Sequence, residues 1–336
     1  MNPSCFSAPG AIVVTEGDEA LARLFRERFG PDSVHVHPGL LEMLGSVVDS
    51  ARVVAVTVRS PIGPREMDLL PNVELIVTGS AGYDHIDLQC ARAREVKVCN
   101  VPDYGPAVAE FNMALILALS RRLHHAYART REHDFGLAAL LGRNLAGRTL
   151  GIIGTGHIGA KVADLAAAFG TRVVAADPNP RPEVRAEYMS LDGLLSRADV
   201  LAICCPLTDQ TRHMIGREEF QRMKRGMLLV NTSRGPVVDT QALLWALEDG
   251  IVEGAALDVL EGETLLAPET LVQTLVDDPT RLEALQMAEG LTLAGYPKVL
   301  VTPHIAYYTI DSLDAIREVT VENVAAYDAG SPQNLC

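Results

Sequence analysis

Short β-branched runs alternate along the chain with longer segments of helical spacing. Ala11-Ile-Val-Val-Thr15 is followed by an amphipathic pattern from Asp18 to Phe29, and then by Val34-His-Val36, Val53 to Val58 and Leu75 to Thr78. Near-continuous apolar runs of this length predict strands buried on both faces, so the alternation predicts β-α-β units around a parallel sheet. A second series begins at Thr149, with strands predicted at Leu150 to Ile153, Arg172 to Ala176, Val200 to Cys204, Met227 to Val230, Ala255 to Val259 and Val299 to Thr302. Two such series predict an α/β chain of two doubly wound parallel-sheet domains. Between them, Ala107 to Tyr127 is apolar almost all round, the pattern of a helix buried at an interface. The amphipathic stretch Ile310 to Tyr327 follows the last strand and is placed back with the first series. The expected organisation is a discontinuous domain of residues 1–106 plus 304–336 that carries an inserted domain of residues 107–303. Residues 264–297 break the strand rhythm and are expected to be a functional or oligomeric elaboration.

Composition narrows the function. The 336 residues are 48% hydrophobic, enough for two cores. Lys plus Arg total 29 against 43 for Asp plus Glu, a net charge of −14, so no basic field exists to attract nucleic acid or an anionic membrane. The longest apolar stretch, Met113 to Leu119, falls well short of the roughly 20 residues that span a bilayer. The N-terminus lacks the pattern of a secretory signal, and cysteines 5, 90, 99, 204, 205 and 336 show no C-x-x-C spacing, so a reducing cytoplasm, no disulfide framework and no metal site are expected. An anionic substrate would have to be met by individual arginines and backbone amides.

Leu150-Gly-Ile-Ile-Gly154-Thr-Gly156-His-Ile-Gly159 is a strand entering Gly-x-Gly-x-x-Gly, followed by an amphipathic helix from Ala160 to Phe169. This order suits a pyrophosphate lying on backbone amides at a helix N-terminus, with Gly154, Thr155, Gly156, His157, Ile158 and Gly159 as cofactor-binding candidates. The next strand ends in Asp177, close to the about 20-residue offset of a ribose-hydroxyl acceptor. A carboxylate there repels a 2′-phosphate and favours NAD over NADP, while Arg181, four residues on, is the residue that could reverse the preference.

Three further segments complete a resemblance to the D-isomer-specific 2-hydroxyacid dehydrogenases: Asn231-Thr-Ser-Arg234-Gly-Pro, Ala256-Leu-Asp258-Val-Leu-Glu261-Gly-Glu263 and Thr302-Pro-His304-Ile-Ala-Tyr-Tyr-Thr309. They stand in the family's order, and the likeness covers the chain from about residue 75 onward. It implies a Rossmann cofactor domain inserted into a flavodoxin-like substrate domain, usually assembled as a homodimer. It also implies NADH-dependent reduction of a 2-oxo acid to the D-(R)-2-hydroxy acid. Arg234 is implied as the planar clamp on the substrate carboxylate and His304 as the proton donor. Glu263 is implied as the paired carboxylate that fixes the His304 tautomer and holds its proton until transfer. Singly, an arginine after a strand, a histidine and an acidic loop are most often solvated or satisfied groups; their joint order makes the case. His124, His125 and His133 are read as structural or exposed.

Further roles follow the resemblance. Cys205, Pro206, Thr232, Ser233, Asp258 and His213 match positions near the nicotinamide half. Ala81 and Gly82, in Gly79-Ser-Ala-Gly-Tyr-Asp-His85, match a loop whose amides hold the substrate carboxylate, and Tyr104 follows the Asn100-Val-Pro102 segment that joins the domains. Tyr307 and Tyr308 are similar to the aromatic pair of D-lactate dehydrogenases and the related vancomycin-resistance enzymes, which favours a pyruvate-like acid. Arg59, ending the Val53 to Val58 run, is either a strand-end charge or a second cation for a doubly anionic acid such as phosphonopyruvate or oxaloacetate. Corepressors called C-terminal-binding proteins share the fold and site, so an NAD(H)-sensing binding protein is the expectation from another class. Those proteins carry long tails, and the compact ends of this chain favour the enzyme.

Overall fold

The computed structural model describes residues 5–37, 39, 49–266 and 281–336. The chain divides into two compact units, Met1–Gly105 with Tyr308–Cys336, and Pro106–Tyr307. In the first unit, strands β1 (Ile12–Val14), β2 (Val34–Val36), β3 (Val53–Val56), β4 (Leu75–Thr78) and β5 (Lys97–Cys99) form a parallel sheet in the order β2-β1-β3-β4-β5. Side chains alternate between its two faces: Val13, Val54, Ile76 and Val98 fill one core, while Ile12, Val14, Val53, Leu75 and Val77 fill the other with Phe25, Phe29 and Val324. Phe25 and Phe29 come from the helix Glu19–Phe29, which starts one residue later than the pattern implies because Asp18 caps it, accepting from the Leu21 amide at 3.0 Å. Val324 belongs to the helix Ile310–Asp328.

The second unit holds β6 (Thr149–Ile153), β7 (Arg172–Ala176), β8 (Glu187–Tyr188), β9 (Val200–Ile203), β10 (Met227–Asn231), β11 (Val252–Leu257) and β12 (Val299–Val301). Their order, β12-β11-β10-β9-β6-β7-β8 with every pairing parallel, is a Rossmann sheet extended by one edge strand. The order reverses between β6 and β9, which places the loops after those two strands at the switch point. The sequence places the second crossing between units at residue 304, whereas 304–307 pack with the second unit. The amides of His304, Ile305 and Ala306 are all bonded to Asp258, which follows β11. Of the 264–297 segment, Glu263–Leu266 forms a 3-10 turn and Arg281–Gly295 a helix, and residues 267–280 lie outside the described residues. Among the described residues no helix is long and apolar enough to cross a membrane.

The stretch predicted as one helix from Ala107 to Tyr127 is two. Ala107–Ser120 buries Met113, Ile116 and Leu119 against Leu150, Val162 and Val230 within the second unit. The helix then stops, and Arg122 takes a left-handed conformation (φ 52°) in which its guanidinium bonds the Leu141 carbonyl at 3.1 Å and the Glu253 carboxylate at 2.7 Å. Those tertiary contacts override the local helical pattern. The following helix, Leu123–Arg131, buries none of its residues fully.

At the break, the rings of His124 and His125 lie 4.1 Å apart between centroids. Both ring nitrogens of His124 are sealed from solvent without a well-formed hydrogen bond. Burial first, then the neighbouring His125 and Arg122 charges, outweigh the Ala118 carbonyl and hold His124 below the ordinary histidine value; burial and Arg122 lower His125 in the same sense. A histidine lowered in the folded state takes up its proton in the unfolded chain first, so stability falls as pH drops from the ordinary value of 6.5 toward the lowered one. Thermal melts between pH 7.5 and 5 should show this loss in the parent and a shallower one in His124→Phe, which cannot titrate; parallel curves would exclude a strained neutral histidine here.

Candidate active site

Of the three glycines after β6, two are required by close packing and one is not. Gly154 has φ 87° and lies so close to the switch-point neighbour that an added Cβ would be 2.7 Å from the Cys205 nitrogen. A Cβ on Gly159 would be 2.0 Å from the Gly154 carbonyl oxygen, so the loop folds onto its own helix only with glycine there. A Cβ on Gly156 would meet nothing within 4 Å. This glycine is not demanded by the protein's own packing, and it caps the helix His157–Ala168 with its side open. That open, amide-lined approach is what an incoming pyrophosphate needs. His157 is exposed, Ile158 half-buried and Thr155 fully buried.

Asp177, just past β7, accepts from the Thr155 amide at 2.6 Å, the Thr155 hydroxyl at 3.0 Å and the Asn179 amide at 2.7 Å. Burial pushes this carboxyl up, but those donors and the Arg181 guanidinium outweigh it and hold Asp177 below the ordinary carboxylate value. The acid is therefore a fixed anion that also ties the glycine loop to the next strand. Arg181 is itself engaged by Glu183 at 2.8 Å. Tyr188 on β8, which sequence reasoning passed over, donates to the Thr155 hydroxyl at 2.9 Å and accepts from the Arg181 amide at 3.1 Å. Cys205 lines the Gly154 turn and Pro206 is exposed beside it. Burial pushes the Cys204 thiol to about 12 and the Cys205 thiol to about 11, so neither is a thiolate at neutral pH. These groups fit a dinucleotide, with the glycine loop for its phosphates and Asp177 for its ribose hydroxyls.

The loop after β10 is braced by Asn231, whose side chain accepts from the Ser233 amide at 3.0 Å and donates to the Arg234 carbonyl at 2.9 Å. Buried Thr232 accepts from Asn112 at 3.0 Å. Arg234 is half-buried and donates through Nη1 to the Ser233 carbonyl at 2.9 Å. Gly235 then passes so near the next loop that a Cβ would sit 2.1 Å from the Leu260 carbonyl carbon. Only glycine lets the arginine loop meet the 258–263 loop.

That second loop carries two His–Glu pairs. Glu263 Oε1 lies 2.8 Å from His304 Nδ1, and its Oε2 accepts from the Leu260 amide at 3.1 Å. Glu261, two residues earlier, lies 2.9 Å from His213 Nε2. His304 sits after β12 in a left-handed conformation (φ 55°), strained for a non-glycine residue. Asp258, 1% exposed, holds it there: its carboxylate accepts from the Thr302 hydroxyl at 2.5 Å and from the Ile305 and Ala306 amides at 3.0 and 2.9 Å, while its carbonyl accepts from the His304 amide at 2.9 Å. The structure thus uses Asp258, expected beside the nicotinamide, to anchor the histidine loop. Tyr307 stands edge-on to His304 with ring centroids 6.1 Å apart, and Tyr308 is exposed. Arg234, Glu263 and His304 all lie beyond the carboxyl ends of β10, β11 and β12, neighbours in the sheet.

Candidates in the first unit likewise lie at strand ends. Ala81 and Gly82 follow β4, and their carbonyls accept from Asn100 at 2.7 Å and Ser80 at 2.6 Å. The Tyr104 carbonyl accepts from Ser312 at 3.1 Å. Arg59 is ion-paired at 3.1 Å with Glu16, whose carboxylate is nearly buried and also takes hydrogen bonds from Thr57 and Ser60.

The model of the D-isomer specific 2-hydroxyacid dehydrogenase NAD binding domain matches residues 113–306. The 2-hydroxyacid dehydrogenase homolog 1 of Schizosaccharomyces pombe is 38% identical over 302 residues, 88% of each chain. The D-lactate dehydrogenase kk1H of Curvularia clavata is 40% identical over 263 residues, 77% of this chain and 73% of the relative. A crystal structure of D-lactate dehydrogenase from Aquifex aeolicus complexed with NAD and lactic acid superposes with a TM-score of 0.86 at 35% identity, covering 95% of this chain and 96% of that one.

Gly235→Ala is expected to lower stability by about 3 kcal/mol or more, because the clash is with backbone that cannot rotate away. Thermal unfolding checks this, and an unchanged melting temperature would mean that the two loops do not meet as described.

Proposed function

The chain belongs to the D-isomer specific 2-hydroxyacid dehydrogenase family, and on that premise we propose that it reduces a small 2-oxo acid to the D-(R)-2-hydroxy acid with NADH, pyruvate being the acid it fits best. The observation that carries this reading is the 2.8 Å bond between His304 Nδ1 and Glu263 Oε1. With Nδ1 engaged, Nε2 is the ring atom left to present a proton to a carbonyl oxygen. Glu263 is itself oriented by the Leu260 amide, so the pair is pre-set rather than assembled by substrate. Arg234 is the clamp: a permanently charged planar fork that holds a carboxylate and polarises the adjacent ketone. Bound NADH supplies the hydride. Gly154, Thr155, Gly156, His157, Ile158 and Gly159 would hold its pyrophosphate, Asp177 its ribose, and Cys205, Pro206, Thr232, Ser233 and His213 its nicotinamide half. Asp258 acts there by holding the histidine loop. The first unit, with Ala81 and Gly82 as carboxylate-binding amides and Tyr104 at the substrate, is the substrate domain; Tyr307 adds an aromatic wall.

Two features support the finer choices. Asp177 is a fixed anion and Arg181 is paired with Glu183, which favours NAD over NADP. Glu16 neutralises Arg59 in place, which favours a monocarboxylate over a doubly anionic acid. A homodimer is part of the same proposal, supported by the exposed Leu123, Tyr127, Phe135, Leu137 and Leu141 gathered in one stretch of the second unit. A cytoplasmic location is supported by free thiols among the described cysteines.

Following NADH absorbance against pyruvate, oxaloacetate, hydroxypyruvate, phosphonopyruvate and a branched 2-oxo acid tests the reading. Pyruvate is expected to be reduced fastest, to the D product. Preference for a doubly anionic acid would instead make Arg59 the specificity residue, and tight NADH binding without turnover would favour a sensor. In the active protein, His304→Ala should lower kcat by about 10²–10⁴-fold, while Arg234→Ala should damage both kcat and KM.

A further inference from the structure

The last residues of the chain run back along the outer edge of β5. Leu335 pairs antiparallel with Cys99, the Cys336 amide donates to the Val98 carbonyl at 3.0 Å, and the Cys99 thiol donates to the Gln333 carbonyl at 3.2 Å. The segment covers an otherwise open sheet edge. It also starts a chain of three carboxamides. Asn334 Nδ2 donates to Asn323 Oδ1 at 2.8 Å; Asn323, fully buried on the helix Ile310–Asp328, donates to the Asn100 carbonyl at 2.8 Å; and Asn100 Nδ2 donates to the Ala81 carbonyl at 2.7 Å. The Asn100 amide closes the circuit by donating back to the Asn334 carbonyl at 3.1 Å. Next to it, the Val101 amide donates to the Ser80 carbonyl at 3.0 Å.

The carbonyls of Ser80 and Ala81 are therefore both turned toward Asn100 and Val101, the segment that the strap holds through Asn334 and Asn323. In a planar trans peptide the C=O of one residue and the N–H of the next point in opposite directions. Fixing the Ser80 carbonyl aims the Ala81 amide the other way, and fixing the Ala81 carbonyl does the same for the Gly82 amide. These are the two amides assigned above to the substrate carboxylate. We propose that Asn334, acting through Asn323 and Asn100, is a positioning residue for substrate binding: the C-terminal strap sets the direction in which the loop after β4 presents its amides. The proposal rests on the carboxylate role of Ala81 and Gly82. Asn334 has φ 52°, a left-handed conformation that asparagine tolerates better than most residues, so the position combines backbone and side-chain demands.

Two variants separate those demands. Asn334→Asp keeps the shape and the tolerance of a positive φ but has no amide hydrogens to donate, and Asn334→Gly keeps the backbone freedom without any side chain. Both should raise KM for the fastest-reduced acid of the panel roughly tenfold, with kcat and NADH affinity unchanged. Hydrogen exchange at the amides of Ser80 to Gly82 should also become faster. A purely structural role would lower the melting temperature and leave KM where it is. Ala81→Pro, which removes one of the two amides, isolates the underlying reading. If it raises KM while both Asn334 variants match the parent in KM and exchange, the strap has no positioning role. If Ala81→Pro leaves KM untouched, the carboxylate assignment fails and the proposal falls with it.

Discussion

A buried carboxylate, Asp258, is the constraint on which the geometry of the proposed catalytic site depends. It is sealed from solvent, and a charge in that position persists only when its hydrogen-bonding capacity is met. The donors that meet it come from the stretch that carries His304: the Thr302 hydroxyl and the Ile305 and Ala306 amides, with the His304 amide bonded to the Asp258 carbonyl. To deliver those donors the chain must bend sharply after β12, which puts His304 in a left-handed conformation that costs about 1–3 kcal/mol elsewhere uncompensated. The same bend brings Nδ1 onto Glu263, in the loop that begins at Asp258. One aspartate at the end of β11 therefore sets the backbone that carries His304, while the Leu260 amide orients its partner Glu263.

The rest of the site follows from the parallel sheet. Because β6, β9, β10, β11 and β12 all run the same way, every loop that leaves a carboxyl end leaves on the same side. Glycine is then used where loops must touch: Gly154 against Cys205, and Gly235 against Leu260 and Glu261. Gly156 differs, since nothing among the described residues fills the space beside it. The contrast distinguishes packing glycines from one that the chain's own packing does not require. Asp177 joins both functions, tying the glycine loop to β7 through Thr155 while presenting a fixed negative charge.

Much of this was legible in the sequence because buried parallel strands are continuous apolar runs, and because the glycine loop and the Arg234, Glu263 and His304 segments are local motifs. What escaped was tertiary. β5 is only Lys97–Cys99, and β8 only Glu187–Tyr188; each is too short for a periodic signal and is defined by its pairing with β4 or β7. The break at Arg122 comes from Glu253 and the Leu141 carbonyl, which are distant in sequence. In the site, the residue types and the His304–Glu263 pairing were readable from the motifs, but the other partnerships were not. Asp258 has the sequence context of a cofactor contact and the structural role of an anchor. Arg59 reads as a possible anion receptor until Glu16, 43 residues earlier, is seen to pair with it. Tyr188 carried no motif at all, and its hydrogen bonds to the Thr155 hydroxyl and the Arg181 backbone reveal its place.

The central claim is that His304 and Glu263 work as one unit, and a double-mutant cycle on kcat tests it most directly. His304→Gln, Glu263→Gln and the double variant should be measured with saturating NADH and the preferred acid. Residues acting as a unit predict a double variant no slower than the slower single one. Losses that multiply would show that the two side chains act independently and would contradict the account.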